Sequence, residues 1–173
     1  MATQKSKIEN IIQDYLLMDG LLRERLPDPN SKLEFGFIFT FPPGSKSQKM
    51  TTFKPKNKSF IVISISTQIP ESQINALNSQ KDNKKMQFFI ALRKFFLIKE
   101  VFFRINIQKY QYEINDQLYL NNDGIVSKNS FFKTIRKIFY CFIYSNILLG
   151  EYSSGEGRKT KKISPEFDFS LYS

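Results

Sequence analysis

Histidine and tryptophan are absent from this 173-residue chain, and Cys141 is its only cysteine. These gaps remove the histidine base, the Ser/His and Cys/His nucleophile pairs, the His- or Cys-based zinc site and the internal disulfide. No apolar run is long enough to span a bilayer: Ile138–Leu149 is too short and contains Ser145 and Asn146. Met1–Lys7 is polar, and Ile8–Leu22 is interrupted by Glu9, Asp14 and Asp19, so neither has the form of a signal peptide. The expectation is a soluble cytoplasmic protein with no cofactor, no metal and no small-molecule substrate. It is expected not to be an enzyme.

What the chain has is aromatic bulk and positive charge. Hydrophobic residues make up 41%, and 18 residues are Phe, enough for a packed core in one domain. Lys and Arg number 26 against 16 Asp and Glu, a formal net charge of +10. Glu151–Ser173 holds four acids and four bases, so the excess lies on residues 1–150. A basic folded body attracts acidic proteins or polyanions at long range, and salt weakens that attraction.

Ser6 and Glu9 have the spacing of a capping box, and Ile8, Ile11, Ile12, Tyr15, Leu16 and Leu22 recur at helical spacing behind them. Leu33, Phe35, Phe37, Phe39 and Phe41 alternate, which predicts a strand ended by Pro42-Pro43-Gly44. Met50–Lys54 and the β-branched run Phe60–Ser66 predict two more. A helical segment opens at Pro70, is broken or kinked over Asn78–Asn83, and continues from Lys84 to Ile98. Val101–Ile107 and Tyr112–Leu120 alternate. After the Asn121-Asn122-Asp123-Gly124 turn, Ser127 caps a helix over about Lys128–Leu149, which Gly150 is expected to end. The order α-β-β-β-α-β-β-α predicts an α+β domain over residues 1–149: an antiparallel sheet of about five strands with helices on one face. Residues 150–173 read as a flexible tail. Phe167, Phe169 and Leu171 alternate within it, the spacing of an added strand or a docking segment.

Two helices carry more apolar surface than one sheet needs. In the Lys84–Ile98 helix, Phe88, Phe89, Leu92, Phe95 and Phe96 form one side, while Met86, Ile90 and Leu97 form another. In the last helix, Tyr140, Tyr144 and Leu148 lie opposite the core stripe. A helix apolar nearly all round is covered nearly all round. Met86, Ile90, Leu97, Tyr140, Tyr144 and Leu148 are therefore the candidate interface, for a protein partner or a second copy of the chain. A second reading is a nucleic-acid-binding module using Lys46, Lys49, Lys54, Lys56 and Lys58 with Lys133, Arg136 and Lys137 of the last helix, although no cysteine finger or ribonucleoprotein signature is present. Among the acids, Glu113 and Asp116 lie three apart on a strand, which puts them on opposite faces and unfit as a carboxylate pair.

The opening helix Ile8–Leu22, the strand Leu33–Phe41, the helix Met86–Ile98 and the segment Asp116–Phe139 resemble the type III secretion chaperone-like superfamily, which includes the YbjN-like proteins. More closely, over about residues 5–149, the chain resembles an uncharacterised archaeal family known only as a domain of unknown function. The resemblance implies an α+β fold, often dimeric, that binds a protein segment along an exposed apolar surface without catalysis. It brings no catalytic residues. Secretion chaperones are usually acidic, and this chain is basic.

Overall fold

A computed structural model of the chain describes residues 6–154. Helix α1 spans Lys7–Met18, and the Ser6 Oγ accepts a hydrogen bond from the Glu9 N–H at 3.3 Å, the start that the capping spacing predicts. Gly20, at φ +65°, sits just past its end. The Gly20 N–H donates to the Leu17 carbonyl and the Leu21 N–H to the Leu16 carbonyl, a Schellman closure that needs a left-handed residue at this point. Leu22 therefore does not continue the helix as its spacing suggests. It opens a short strand, β1 (Leu22–Arg25), which the sequence pattern does not predict.

The remaining elements are β2 (Leu33–Phe41), β3 (Gln48–Pro55), β4 (Phe60–Gln68), α2 (Glu71–Ser79), α3 (Lys84–Ile98), β5 (Phe102–Asn106), β6 (Gln111–Tyr119) and α4 (Lys128–Ser153). Every strand pairing is antiparallel, in the order β1-β2-β3-β4-β6-β5. The fold is α+β, with six strands among the described residues where about five are expected and four helices where three are. The additional helix arises because Asp82 and Asn83 take left-handed conformations, at φ 64° and 54°, and separate α2 from α3.

Phe35, Phe37, Phe39 and Phe41 on β2, Ile61, Ile63 and Ile65 on β4, and Tyr112 and Ile114 on β6 all enter one core with residues of all four helices. The helices therefore share one face of the sheet. On the opposite face Leu26 lies over Gly36, where a Cβ would come within 2.8 Å of the Leu26 Cβ. Only glycine allows that approach.

Helix α4 runs through Gly150 to Ser153, one turn past its expected end. The added turn is held from outside. Tyr152 meets Phe88 edge to face at 6.1 Å, and Gln80 Nε2 donates to the Ser153 carbonyl at 3.2 Å. Residues 155–173, including the Phe167, Phe169 and Leu171 alternation, lie outside the described residues.

Candidate protein-binding surface

Helix α3 packs antiparallel to α4. Phe88 meets Tyr152, Phe95 stacks on Tyr144 at 4.1 Å, and Lys137 Nζ donates to the Glu100 carbonyl at 3.1 Å. Phe96 turns to the sheet, with Phe103 at 5.5 Å and Tyr112 at 6.1 Å. At 100° per residue, Met86, Ile90 and Leu97 lie about 140–180° around the helix from Phe95. Phe95 faces α4, so these three face away from it, beyond the β5 side of the sheet. They are 40%, 45% and 62% exposed.

The six residues singled out by sequence do not form one surface. Met86, Ile90 and Leu97 make a stripe on the outer shoulder of α3. Tyr140 and Tyr144 are also exposed, but Tyr144 sits on the other side of α3, against Phe95. Leu148 is a correction: it lies in the core, because α3 covers that flank of α4. Two neighbours of the stripe were missed. Ile98 is 76% exposed and Phe102, at the start of β5, is 54% exposed. Their signal was in the chain, since both follow Leu97 within five residues.

The stripe borders a free sheet edge. Among the described residues strand β5 pairs with β6 alone, and its five residues Phe102-Phe103-Arg104-Ile105-Asn106 carry a single charge. At the other edge, three of the four residues of β1 are charged, a usual guard against further pairing. The turn from α3 into β5 is tight. The Glu100 N–H donates to the Leu97 carbonyl and the Val101 N–H to the Phe96 carbonyl, with Glu100 left-handed at φ 51°. Glycine usually fills this position, because other residues are strained there. Glu100→Gly is therefore expected to raise stability by about 0.5–1 kcal/mol, read as a higher urea midpoint at unchanged slope.

The basic residues divide as well. Lys46 and Lys49 lie at one end of β3 and Lys56 and Lys58 at the other, separated by about 26 Å of strand. Lys54 is buried against Glu34, and Lys137 is bound to Asp116 at 2.9 Å, so neither extends a free basic face. Lys49 comes within 3.9 Å of Glu24. Lys133 is exposed and Arg136 partly so. Glu113 accepts from Ser64 Oγ at 3.0 Å, whereas Asp116 reaches α4 through Lys137. The two carboxylates are thus engaged with different partners.

Burial pushes the Cys141 thiol up to about 11, with Lys137 and Lys99 drawing it partly back. The Tyr112 hydroxyl is raised too, mainly by burial, while its contacts with Ser145 and Thr67 act the other way. Both groups keep a proton in the folded chain that the unfolded chain gives up. For Cys141 that stabilisation is complete below about pH 9 and is lost as pH rises toward 11; for Tyr112 the loss begins only above its ordinary value of 10. For Cys141 the loss is on the order of 2 kcal/mol. Urea unfolding at stepped pH is expected to show the decline, and Cys141→Ala should flatten it between pH 9 and 11.

The family model for an uncharacterized conserved protein, DUF2299, matches residues 8–149. The chain belongs to the DUF2299 family. The family match covers every element from α1 through most of α4, including the α3 stripe and β5. The crystal structure of an uncharacterized protein from Methanothermobacter thermautotrophicus has a similar fold, with a TM-score of 0.71 at 19% identity, over 82% of this chain and 96% of that one. At this identity the likeness speaks for the fold alone. No curated protein matches the chain in sequence. Among the described residues no helix is long and apolar enough to cross a membrane, and no group of three or more Cys, Asp or Glu could hold a metal ion.

Proposed function

We propose that the chain is a non-catalytic, cytoplasmic protein-binding module that forms a homodimer through the outer shoulder of α3 and the free edge of β5. The observation that carries this reading is the stripe Met86, Ile90 and Leu97, exposed on the folded chain and bordering an edge strand with little charge. Apolar side chains aligned beside unpaired backbone are worth most when a partner covers both. A second copy is the simplest such partner, because two β5 edges pair antiparallel about a two-fold axis and bring their α3 helices together. The dimer's joined surface then offers the binding mode of a chaperone-like fold of the YbjN type. The surplus lysines steer an acidic partner toward it.

Sedimentation velocity at 1–100 µM tests the reading. A dimer that persists in 0.5 M NaCl is the expected result, since apolar contact tolerates salt. A monomer across the whole range overturns it. Steeply salt-dependent binding of a single-stranded oligonucleotide by that monomer would turn the reading toward nucleic acid.

A further inference from the structure

The helices cover one face of the sheet, and side chains one place out of phase with the core set lie on the other. Three aromatic residues meet there at one end. Phe60 of β4 pairs with Tyr119 of β6, their rings 5.6 Å apart and edge to face. Phe53 of β3 stands opposite Val62, the next β4 residue on this face. Phe53 and Phe60 are half-buried, and Tyr119 is 64% exposed.

Away from the rings the face turns polar and mostly uncharged. Ser64, Ser66 and Gln68 lie opposite Asn115, Glu113 and Gln111. The side chains of Asn115 and Gln111 make no hydrogen bond among the described residues, so their amides are open to a ligand. At the far end of β4 is a hollow of about 540 Å³, walled by Gln68, Gln111, Asn106, Arg104 and Lys109. That volume suits a unit the size of a nucleotide.

The charges sit around this surface. Its carboxylates are engaged: Glu24 is 3.9 Å from Lys49, and Glu113 accepts from Ser64. Lys56 and Lys58 lie in the turn beside the rings, and Lys46, Arg104 and Lys109 lie at the other end. Among the described residues none of these five is in an ion pair. The two cationic ends are thus separated by about 26 Å of strand bearing rings and amides. A folded protein partner is best met by the reverse arrangement, an apolar centre with a polar rim. A polyanion with flat bases matches this one, because rings stack bases, amides bond to their edges and cations hold phosphates.

We infer that this uncovered sheet face binds single-stranded nucleic acid, laid along β4 and β6. Bases stack on Phe60 and Tyr119, the amides of β6 meet base edges, and Arg104 and Lys109 hold phosphates. The length of the face accommodates about four nucleotides, at the small end for single-strand sites. The α3 stripe takes no part in it.

Fluorescence anisotropy of labelled twelve-nucleotide oligo(U) and oligo(dT) strands with the full chain tests this. Binding of either strand is expected in 50 mM NaCl and should weaken steeply toward 200 mM. Tyr119→Ala is expected to weaken it at least fivefold, through the loss of one stacked base. Arg104→Gln should weaken it and lower the salt slope by about 1. Both side chains are exposed, so the variants should keep the parent's circular dichroism. The variant Lys133→Gln, Arg136→Gln on α4 should bind within about threefold of the parent. Absence of binding to both strands in 50 mM NaCl overturns the inference. A duplex of the same length bound as tightly overturns it, since paired bases cannot stack on the rings. Displacement of the strand by polyglutamate at equal charge also overturns it, since the face would then suit acidic proteins. Loss in the α4 variant without loss in Tyr119→Ala places the ligand on the helices and overturns it as well. Sedimentation reads the dimer separately, and neither result decides the other.

Discussion

The double variant Ile90→Asp, Leu97→Asp is expected to remain monomeric at concentrations where the parent chain forms the proposed dimer, with the dimer dissociation constant raised at least 100-fold. Burying one Leu or Ile side chain contributes about 1.5–3 kcal/mol. A two-fold interface counts each substitution twice, and the new carboxylates add a desolvation cost. A 100-fold change needs only about 2.7 kcal/mol, so the stated effect is a lower bound. Both positions are exposed in the single chain, Ile90 by 45% and Leu97 by 62%, so the far-UV circular dichroism of the variant should match the parent. Tyr140→Ser is the control. Tyr140 is exposed on α4, on the other side of α3 from the stripe, and its loss should leave the dimer intact. If Tyr140→Ser separates the subunits and the double variant does not, the interface lies on α4 and the α3 assignment is wrong.

The second large effect is inside one chain. Glu9 is almost fully buried on α1, and Arg25 of β1 pairs with it from a mostly exposed position. The Arg25 guanidinium also lies 5.8 Å from the centre of the Phe37 ring. Removing one member of such a pair leaves a charge in a poor dielectric, whereas removing both costs little. Arg25→Met is expected to destabilise the fold by about 3 kcal/mol, toward the low end for broken buried pairs because water screens the exposed guanidinium. At this chain length that lowers the melting temperature by about 6–12 °C. The double variant Glu9→Leu, Arg25→Met should recover most of the loss. A loss under about 1 kcal/mol for Arg25→Met would show that Glu9 finds water or another donor, and the pair would not tie α1 to the sheet.

How far the surface could be read from the chain depends on the residue. The exposure of Met86, Ile90 and Leu97 follows from the helix itself. Phe88, Phe89, Leu92 and Phe96 already fill the side that meets the sheet and α4, so the remaining apolar side has no room beneath it. Leu148 follows the same periodic argument and ends in the core, because its neighbour is another helix and no local pattern reports which flank that helix covers. The lysines fail for a similar reason. Lys46 to Lys58 are close in sequence, but an eight-residue strand carries them to opposite ends of the sheet, and Glu34 holds Lys54 in between.

Strand β1 was hidden for a different cause. Leu22-Arg23-Glu24-Arg25 has no alternation of its own and becomes a strand only by pairing with β2, at Leu22–Phe39 and Arg25–Phe37. The short pairing of β3 with β4 is equally nonlocal. Both segments read as strands, and only their pairing shows that they share three residues.

The residues alone determined the α+β class, five of the six strands and the start of each long helix. These depend on period, caps and turns within about ten residues, where covalent geometry decides. Tertiary structure decided which flank of α4 is covered, which lysines are neutralised, that β5 lies at the edge of the sheet among the described residues, and that β3 and β4 share only three paired residues. Each of those depends on what a distant part of the chain brings alongside, and that is settled by packing and pairing between elements.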